Sequence, residues 1–350
     1  MKGLKYIGYF ISFCILLFTG YILYSQLSWY NPPEKQKISA NSNPDTIRCD
    51  SVYCVLSWNI GYAGLGDDMD FFYDGGKMTR GSYERTVGNL DSISHFLKRN
   101  SGADFILVQE VDLHSKRSYY LSELDTLLHQ STFHSALALN YVVGFVPVPL
   151  KEPMGKVNSG ILSLSRFLPE SSFRYAYPGK FGWPNRLFNL RRCMLANRYP
   201  TDDGKELVLI NTHNSAFDDG NLKKQEMQFL KDFVLAEFSS GNYVVVGGDW
   251  NQSPPDFPIT QFGENYQSDA FILSNIARDY LPAGWKWAFD PKLPTNRYNN
   301  EIYTPGKTFR CLIDIFLVSP NVEVVQNKTF DLNFRNSDHN PIEMQFRLKK

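Results

Sequence analysis

The chain of 350 residues is long enough for one large α/β domain with a leader or for two average domains, and length alone does not choose between them. Hydrophobic residues at 43% and aromatics at 15% supply a sizeable core, and 21% charged residues is ordinary for a globular protein, which argues against a largely disordered chain. With 36 basic residues balancing 36 acidic ones, the chain has no overall electrostatic affinity for long polyanions, although a local basic patch is compatible with that balance.

Residues 6–24 form an almost unbroken apolar run, preceded by Lys2 and Lys5, and that run is long enough to cross a bilayer as a helix. The Ser25-Gln26-Leu27-Ser28 stretch after it offers no small-x-small cleavage pair, so the run is expected to remain as an anchor over residues 1–25 rather than to be removed as a signal segment. Lysines on the N-terminal side predict a cytoplasmic N-terminus and a C-terminal domain outside the cytoplasm. Residues 26–51 are polar and broken by Pro32, Pro33 and Pro44, which reads as a tether from membrane to domain. Cys14 lies within the apolar run as a lipid-facing or packing residue. Cys49, Cys54, Cys193 and Cys311 permit two disulfides in an oxidising compartment, with Cys49–Cys54 the simplest local pair and free buried thiols the alternative. Their spacing offers no zinc site.

The folded domain is expected over residues 52–350, where short β-type runs alternate with amphipathic helices and no repeat or linker marks a second domain. Strands are predicted at 54–58, 105–108, 160–164, 207–211, 243–247, 312–318 and 342–348, each apolar or alternating and bounded by turn residues. Helices are predicted at 82–100, with Val87, Leu90, Ile93, Phe96 and Leu97 at helical spacing, and at 221–238, with Leu222, Phe229, Leu230, Phe233 and Val234. Each leads into a strand with an acid at its end, Glu110 in one case and Asp249 in the other, which is where ligand sites form in α/β folds.

Several polar residues stand where apolar runs stop. Asn59 closes L-S-W-N-I, where a turn-capping Asn is the ordinary alternative. Glu110 in I-L-V-Q-E-V follows a buried strand directly, so its carboxylate needs an ion-pair partner or a metal to offset desolvation. His213 closes L-I-N-T-H. In V-V-G-G-D-W-N, Asp249 and Asn251 sit two apart, so both face one side, beside glycines that admit a close neighbour. Asp314 interrupts L-I-D-I-F-L-V and His339 lies in N-S-D-H-N-P; a buried Asp holding an imidazole in one tautomer makes a general base or a charged stabiliser.

Taken together and in this order, S-W-N-I, V-Q-E-V, N-S-G-I-L-S, N-T-H, G-G-D-W-N, I-D-I-F and S-D-H-N-P-I resemble the endonuclease/exonuclease/phosphatase superfamily over about residues 52–348. That group includes pancreatic deoxyribonuclease, abasic-site endonucleases, sphingomyelinases and inositol-polyphosphate 5-phosphatases. The resemblance implies an α/β four-layer sandwich of two mixed β-sheets flanked by helices, here preceded by a transmembrane helix. It implies Mg²⁺, with Mn²⁺ as the alternative, held mainly by Glu110 with Asn59 beside it and Asp338 close by. It further implies that Asp249 and Asn251 position and deprotonate the attacking water, that Asp314 orients His339, that His213 donates to the phosphate oxygens, and that Asn158 contacts the phosphate. The expected reaction is hydrolysis of a phosphate ester, foremost a phosphodiester, and the expected partners are that substrate (lipid headgroup, small molecule or nucleic acid) and the membrane. The segment K-T-F-R-C-L-I-D keeps Arg and Asp but lacks the P-A-W-C-D-R-I signature of the 5-phosphatases, which disfavours that branch. Aromatic and basic residues at 181–186 and 285–287 suit stacking on bases, lipid headgroups or plain packing. A nuclease, a phosphomonoesterase and an inactive binding module on the same fold are the alternative readings.

Overall fold

A computed structural model describes residues 2–100, 102–129, 131–216, 220–263 and 272–350. In chain order the strands are β1 (Lys35–Ala40), β2 (Val52–Asn59), β3 (Phe105–Asp112), β4 (His134–Val146), β5 (Gly155–Ser165), β6 (Ser171–Ala176), β7 (Cys193–Pro200), β8 (Glu206–His213) and β9 (Tyr243–Asp249). They continue with β10 (Lys286–Ala288), β11 (Asn296–Arg297), β12 (Arg310–Cys311), β13 (Asp314–Val318), β14 (Val322–Thr329) and β15 (Ile342–Leu348). The helices are α1 (Lys2–Leu27), α2 (Tyr83–Arg99), α3 (Glu123–Leu128) and α4 (Asn221–Ser239).

Two mixed sheets result among the described residues, one of seven strands ordered β1-β6-β7-β8-β9-β13-β10 and one of six ordered β14-β15-β2-β3-β5-β4. The two-residue period of the strands explains why they stack. Val55, Phe105, Leu107, Leu207, Leu209, Val245, Phe316, Met344 and Phe346 point between the sheets into one core. Their neighbours in sequence point outward: Leu56, Trp58, Ile106 and Val108 meet Leu90, Ile93 and Leu97 of α2, while Val208, Ile210, Val244 and Val246 meet Met227, Leu230 and Val234 of α4. Strands apolar on both faces therefore become inner layers, and the α/β four-layer sandwich follows.

Both expected helices form close to their predicted limits. The Ser82 side chain accepts a hydrogen bond from the Arg85 backbone N–H and fixes the start of α2. Strands β1, β4, β6, β7, β10, β11, β12 and β14, and helix α3, were not among the expected elements. Most carry polar residues on their exposed faces, as in the K-Q-K-I-S-A of β1, which weakens the alternation signal.

Residues 26–51 contain more than a polar connection. Strand β1 pairs antiparallel with β6 at the edge of the seven-stranded sheet, and Ile47 and Cys49 are buried in the core between the sheets. The cysteines are free thiols, not disulfides. Cys49 faces the Tyr243 hydroxyl at 3.6 Å, Cys193 and Cys311 lie in separate apolar clusters, and Cys54 stands on β2.

Candidate active site

Parallel pairing brings the ends of β2 and β3 together in one sheet and those of β8 and β9 in the other. The antiparallel neighbours β13 and β15 begin where those strands end, so Asp314 pairs with Asp249 across the ladder, and His339 enters just before β15 beside the end of β2. Residues separated by up to 280 positions, Asn59 and His339, thereby meet at one end of the sandwich.

The local backbone is built to aim them. The β3–β5 register slips between Val108 and Val111, and within that bulge Glu110 has φ +57°. A non-glycine residue held there costs about 1–3 kcal/mol, which the surrounding sheet must offset. The bulge turns Gln109 inward, where its Nε2 donates to Asn211 Oδ1 at 2.7 Å, and leaves Glu110 facing the cleft. Asn251 is also left-handed, at φ +51°, and its Nδ2 donates to the Asn214 carbonyl at 2.8 Å. Gly248 has φ +142°, and a Cβ there would lie 2.0 Å from the Thr212 carbonyl oxygen, so the G-G-D-W-N run requires glycine where β9 passes β8.

Asn59 stands at the centre, its Nδ2 directed at Asp249 Oδ2 (3.1 Å), His339 Nε2 (3.4 Å) and Glu110 Oε1 (3.5 Å). His213 Nε2 lies 3.4 Å from Asp249 Oδ2 and 3.9 Å from Glu110 Oε1. His339 Nδ1 pairs with Asp314 Oδ2 at 2.8 Å, and the Asn296 Nδ2 lies 3.0 Å from its Nε2. Asp338 receives the Asn299 amide on Oδ2 at 2.6 Å and the Ser337 hydroxyl on Oδ1 at 3.3 Å.

The surroundings push the two histidines in opposite directions. Burial holds His213 well below the ordinary imidazole range, and the nearby positive charges of Arg192, His339 and Arg117 reinforce this, so it is neutral near pH 7. For His339 burial also opposes charge, but Asp314, Asp338 and Asp249 outweigh it and raise the imidazole to about 10, which favours its protonated form. Burial raises Asp249 to about 6 even though His339 pulls the other way.

A divalent cation fits the remaining groups. Glu110 is pushed up chiefly by burial, with the charge of Asp338 adding to the push against the relief offered by Arg117. Among the described residues neither Glu110 nor Asp338 has a lysine or arginine in salt-bridge contact. Two hard carboxylates facing one cleft without such a partner are oxygen donors of the kind a divalent cation takes.

The cleft, of about 310 Å³, is lined by Glu110, His213, Asp249, Asn251, Asp338 and His339, with Asn59 and Asp314 supporting them from behind. Asn158 does not reach the lining: it stands on β5 with its backbone N–H on Ser115 Oγ at 2.8 Å, and its neighbour Ser159 faces the cleft instead. Sequence reasoning missed Arg117, Asn296, Asn299 and Asp74, all of which line it. The buried Arg117 guanidinium grips Asp112 through Nε (3.0 Å) and Nη2 (2.9 Å) and lies 3.8 Å above the Tyr62 ring. Only the Asp two residues beyond Glu110 and the Arg five beyond that Asp could have signalled this pair. Asp74 is raised by burial and by Asp338 to about 7.

Carboxylates, amides and imidazoles thus meet in one cleft at the shared strand ends of a two-sheet sandwich. The sequence profile of the Endonuclease/Exonuclease/phosphatase family matches residues 56–339, and the chain belongs to that family. Among solved structures it is similar to an endonuclease/exonuclease/phosphatase from Beutenbergia cavernae DSM 12333, at TM-score 0.56 and 18% identity over 85% of this chain and 72% of that one. It is also similar to D. rerio TDP2 complexed with single strand DNA product (TM-score 0.52, 16% identity, 85% and 100% covered). A third likeness is to ANGEL2, a 2',3'-cyclic phosphatase (TM-score 0.53, 14% identity, 91% and 99% covered). At these identities the likeness is one of fold. No curated protein sequence matches the chain.

Proposed function

We propose that the chain hydrolyses phosphodiesters outside the cytoplasm by metal-assisted attack of water at phosphorus. The observation that carries this reading is the convergence of Glu110, His213, Asp249 and the His339–Asp314 pair around Asn59 in one cleft. A bound Mg²⁺, held by Glu110 and Asp338, would neutralise phosphate charge and polarise the ester. Asp249 and Asn251 hold the water, and Asp249 removes its proton. Neutral His213 donates to a phosphate oxygen as charge builds, and the His339 imidazolium, fixed by Asp314, stabilises the same charge from beside Asp249. The test is a panel of plasmid DNA, single-stranded DNA, a phospholipid diester and a nitrophenyl phosphodiester at one metal and salt concentration. Turnover of none of them, or full turnover in excess EDTA, refutes the reading; plasmid DNA cleaved fastest with a steep loss in salt makes the protein a nuclease instead.

A bell-shaped pH profile is expected from the charge states. Asp249 must be ionised to accept a proton, so log(kcat/KM) falls with unit slope as pH drops below about 6. His339 must keep its proton, so the rate falls again as pH rises through about 10. A profile flat from pH 5 to 7 would assign the base to another group.

Helix α1 is long and apolar enough over Gly3–Leu27 to cross a membrane, a test that signal sequences also pass. We propose that it is an anchor with the N-terminus inside, because Lys2 and Lys5 precede the run. Protease added outside intact spheroplasts is expected to degrade the catalytic domain; complete protection places the domain in the cytoplasm.

A further inference from the structure

The end of α1 does not leave the domain freely. The Tyr21 ring stacks on Phe188 at 5.5 Å and meets Phe145 edge-on at 6.2 Å, and its hydroxyl donates to the Phe145 carbonyl at 2.8 Å. Just beyond the helix, Trp29 lies under the Arg186 guanidinium at 4.7 Å, and the Tyr30 hydroxyl donates to the Leu139 carbonyl at 3.4 Å. Phe145 lies near the end of β4 and Phe188 in the loop before β7, next to two segments that reach the cleft lining. The loop after Phe145, residues 147–154, ends at cleft-lining Met154, and the loop containing Phe188, residues 178–192, carries cleft-lining Lys180, Phe181 and Leu190.

Helix geometry fixes the depth of this contact. About 20 residues of helix cross the hydrocarbon of a bilayer, so a span starting at Gly3 emerges near Tyr21 and Tyr24. Whatever packs on Tyr21 therefore sits in the headgroup layer. The tips of the two loops match that environment: Leu150 is 89% exposed and Trp183 61% exposed, with Val148 beside Leu150. The same loops carry Lys151, Lys180, Arg186, Arg191 and Arg192 against Glu152 alone, a charge that suits anionic headgroups.

We propose that the 147–154 and 178–192 loops form a membrane-contact rim, with Leu150 and Trp183 dipping into the bilayer surface, so that the cleft takes its substrate from that surface: a phospholipid with a diester headgroup. This rests on the phosphodiesterase reading for the substrate, and on α1 as an anchor for the rim. In the reaction water oxygen bonds to phosphorus, the ester P–O bond breaks, Asp249 receives the water proton, and the leaving oxygen takes a proton from solvent, giving a phosphomonoester and an alcohol.

The test uses the full chain in vesicles of phosphatidylcholine and phosphatidylglycerol, assayed with Mg²⁺ on the diester lipids of the same bilayer and on soluble bis(nitrophenyl) phosphate. The double variant Leu150→Asp, Trp183→Asp is expected to lower lipid hydrolysis by about tenfold or more while changing the soluble rate less than about twofold. Equal rates of variant and wild type on lipid, or equal losses on both substrates, overturn the rim. A wild type inactive on both substrates refutes the phosphodiesterase reading, and the rim is then decided by fluorescence. Brominated lipids should quench wild-type emission by a component that Trp183→Phe removes, and quenching unchanged by that substitution overturns the rim whatever the activity.

Discussion

Glu110→Gln is expected to lower kcat by about 10³-fold or more, because it removes the charged oxygen donor that the cleft offers a cation. The same change should raise the melting temperature of the metal-free protein. Burial raises the Glu110 carboxyl above its ordinary 4.5, so the folded state disfavours its ionised form. The resulting cost to stability begins as pH rises above the unfolded value and is fully present above the folded one. A neutral, nearly isosteric amide removes that cost and leaves the φ +57° backbone and the bulge as they are. Thermal unfolding in EDTA at pH 7.5, paired with single-turnover rates in Mg²⁺, separates the two effects. A variant that loses activity and melting temperature together would mean that Glu110 holds the fold through ion pairing and not a metal.

His213→Ala is expected to cost about 10²- to 10³-fold in kcat with little change in KM, since a neutral donor aimed at developing charge acts chiefly in the transition state. His213 is 2% exposed, and among the described residues its Nδ1 is buried without a hydrogen-bond partner, so Nδ1 adds little polar stabilisation to the fold. Its removal should therefore leave unfolding by urea nearly unchanged apart from the loss of packing. His339→Ala differs. It strips the partner from Asp314 and leaves a buried carboxylate uncompensated, so both kcat and stability should fall, by about 10² or more and by about 3–5 kcal/mol. Finding the reverse pattern, with His213 structural and His339 dispensable to the fold, would overturn the charge states assigned to the two rings.

Much of the site was legible because its members end strands. Glu110, His213 and Asp249 each follow an apolar run that could be recognised without knowing its partners, and Ser82 and Asn100 bracketed α2 within a residue. Strand β1 was hidden in a polar, proline-broken stretch because an edge strand buries little and needs only a sheet to pair with. Arg117 was missed because a lone arginine on a loop resembles any surface cation until Asp112 and Tyr62 are seen to enclose it. Asn158 was expected on the phosphate because its motif matched; it stands on β5 next to Ser159, which lines the cleft.

By itself the amino-acid sequence determined the fold class, the two principal helices, the apolar strands of the inner layers and the side chains available for chemistry. All of these depend on periodicity, capping or residue type within a few positions of the chain. The tertiary structure alone decided that the surroundings of the two histidines push them in opposite directions, that Asn59 faces two carboxylates and an imidazole, that the bulge at Glu110 turns its carboxylate into the cleft, and that α1 packs through Tyr21 on Phe145 and Phe188. Those properties come from desolvation and from charges brought within a few ångströms by strands far apart in sequence, and no local pattern encodes such distances.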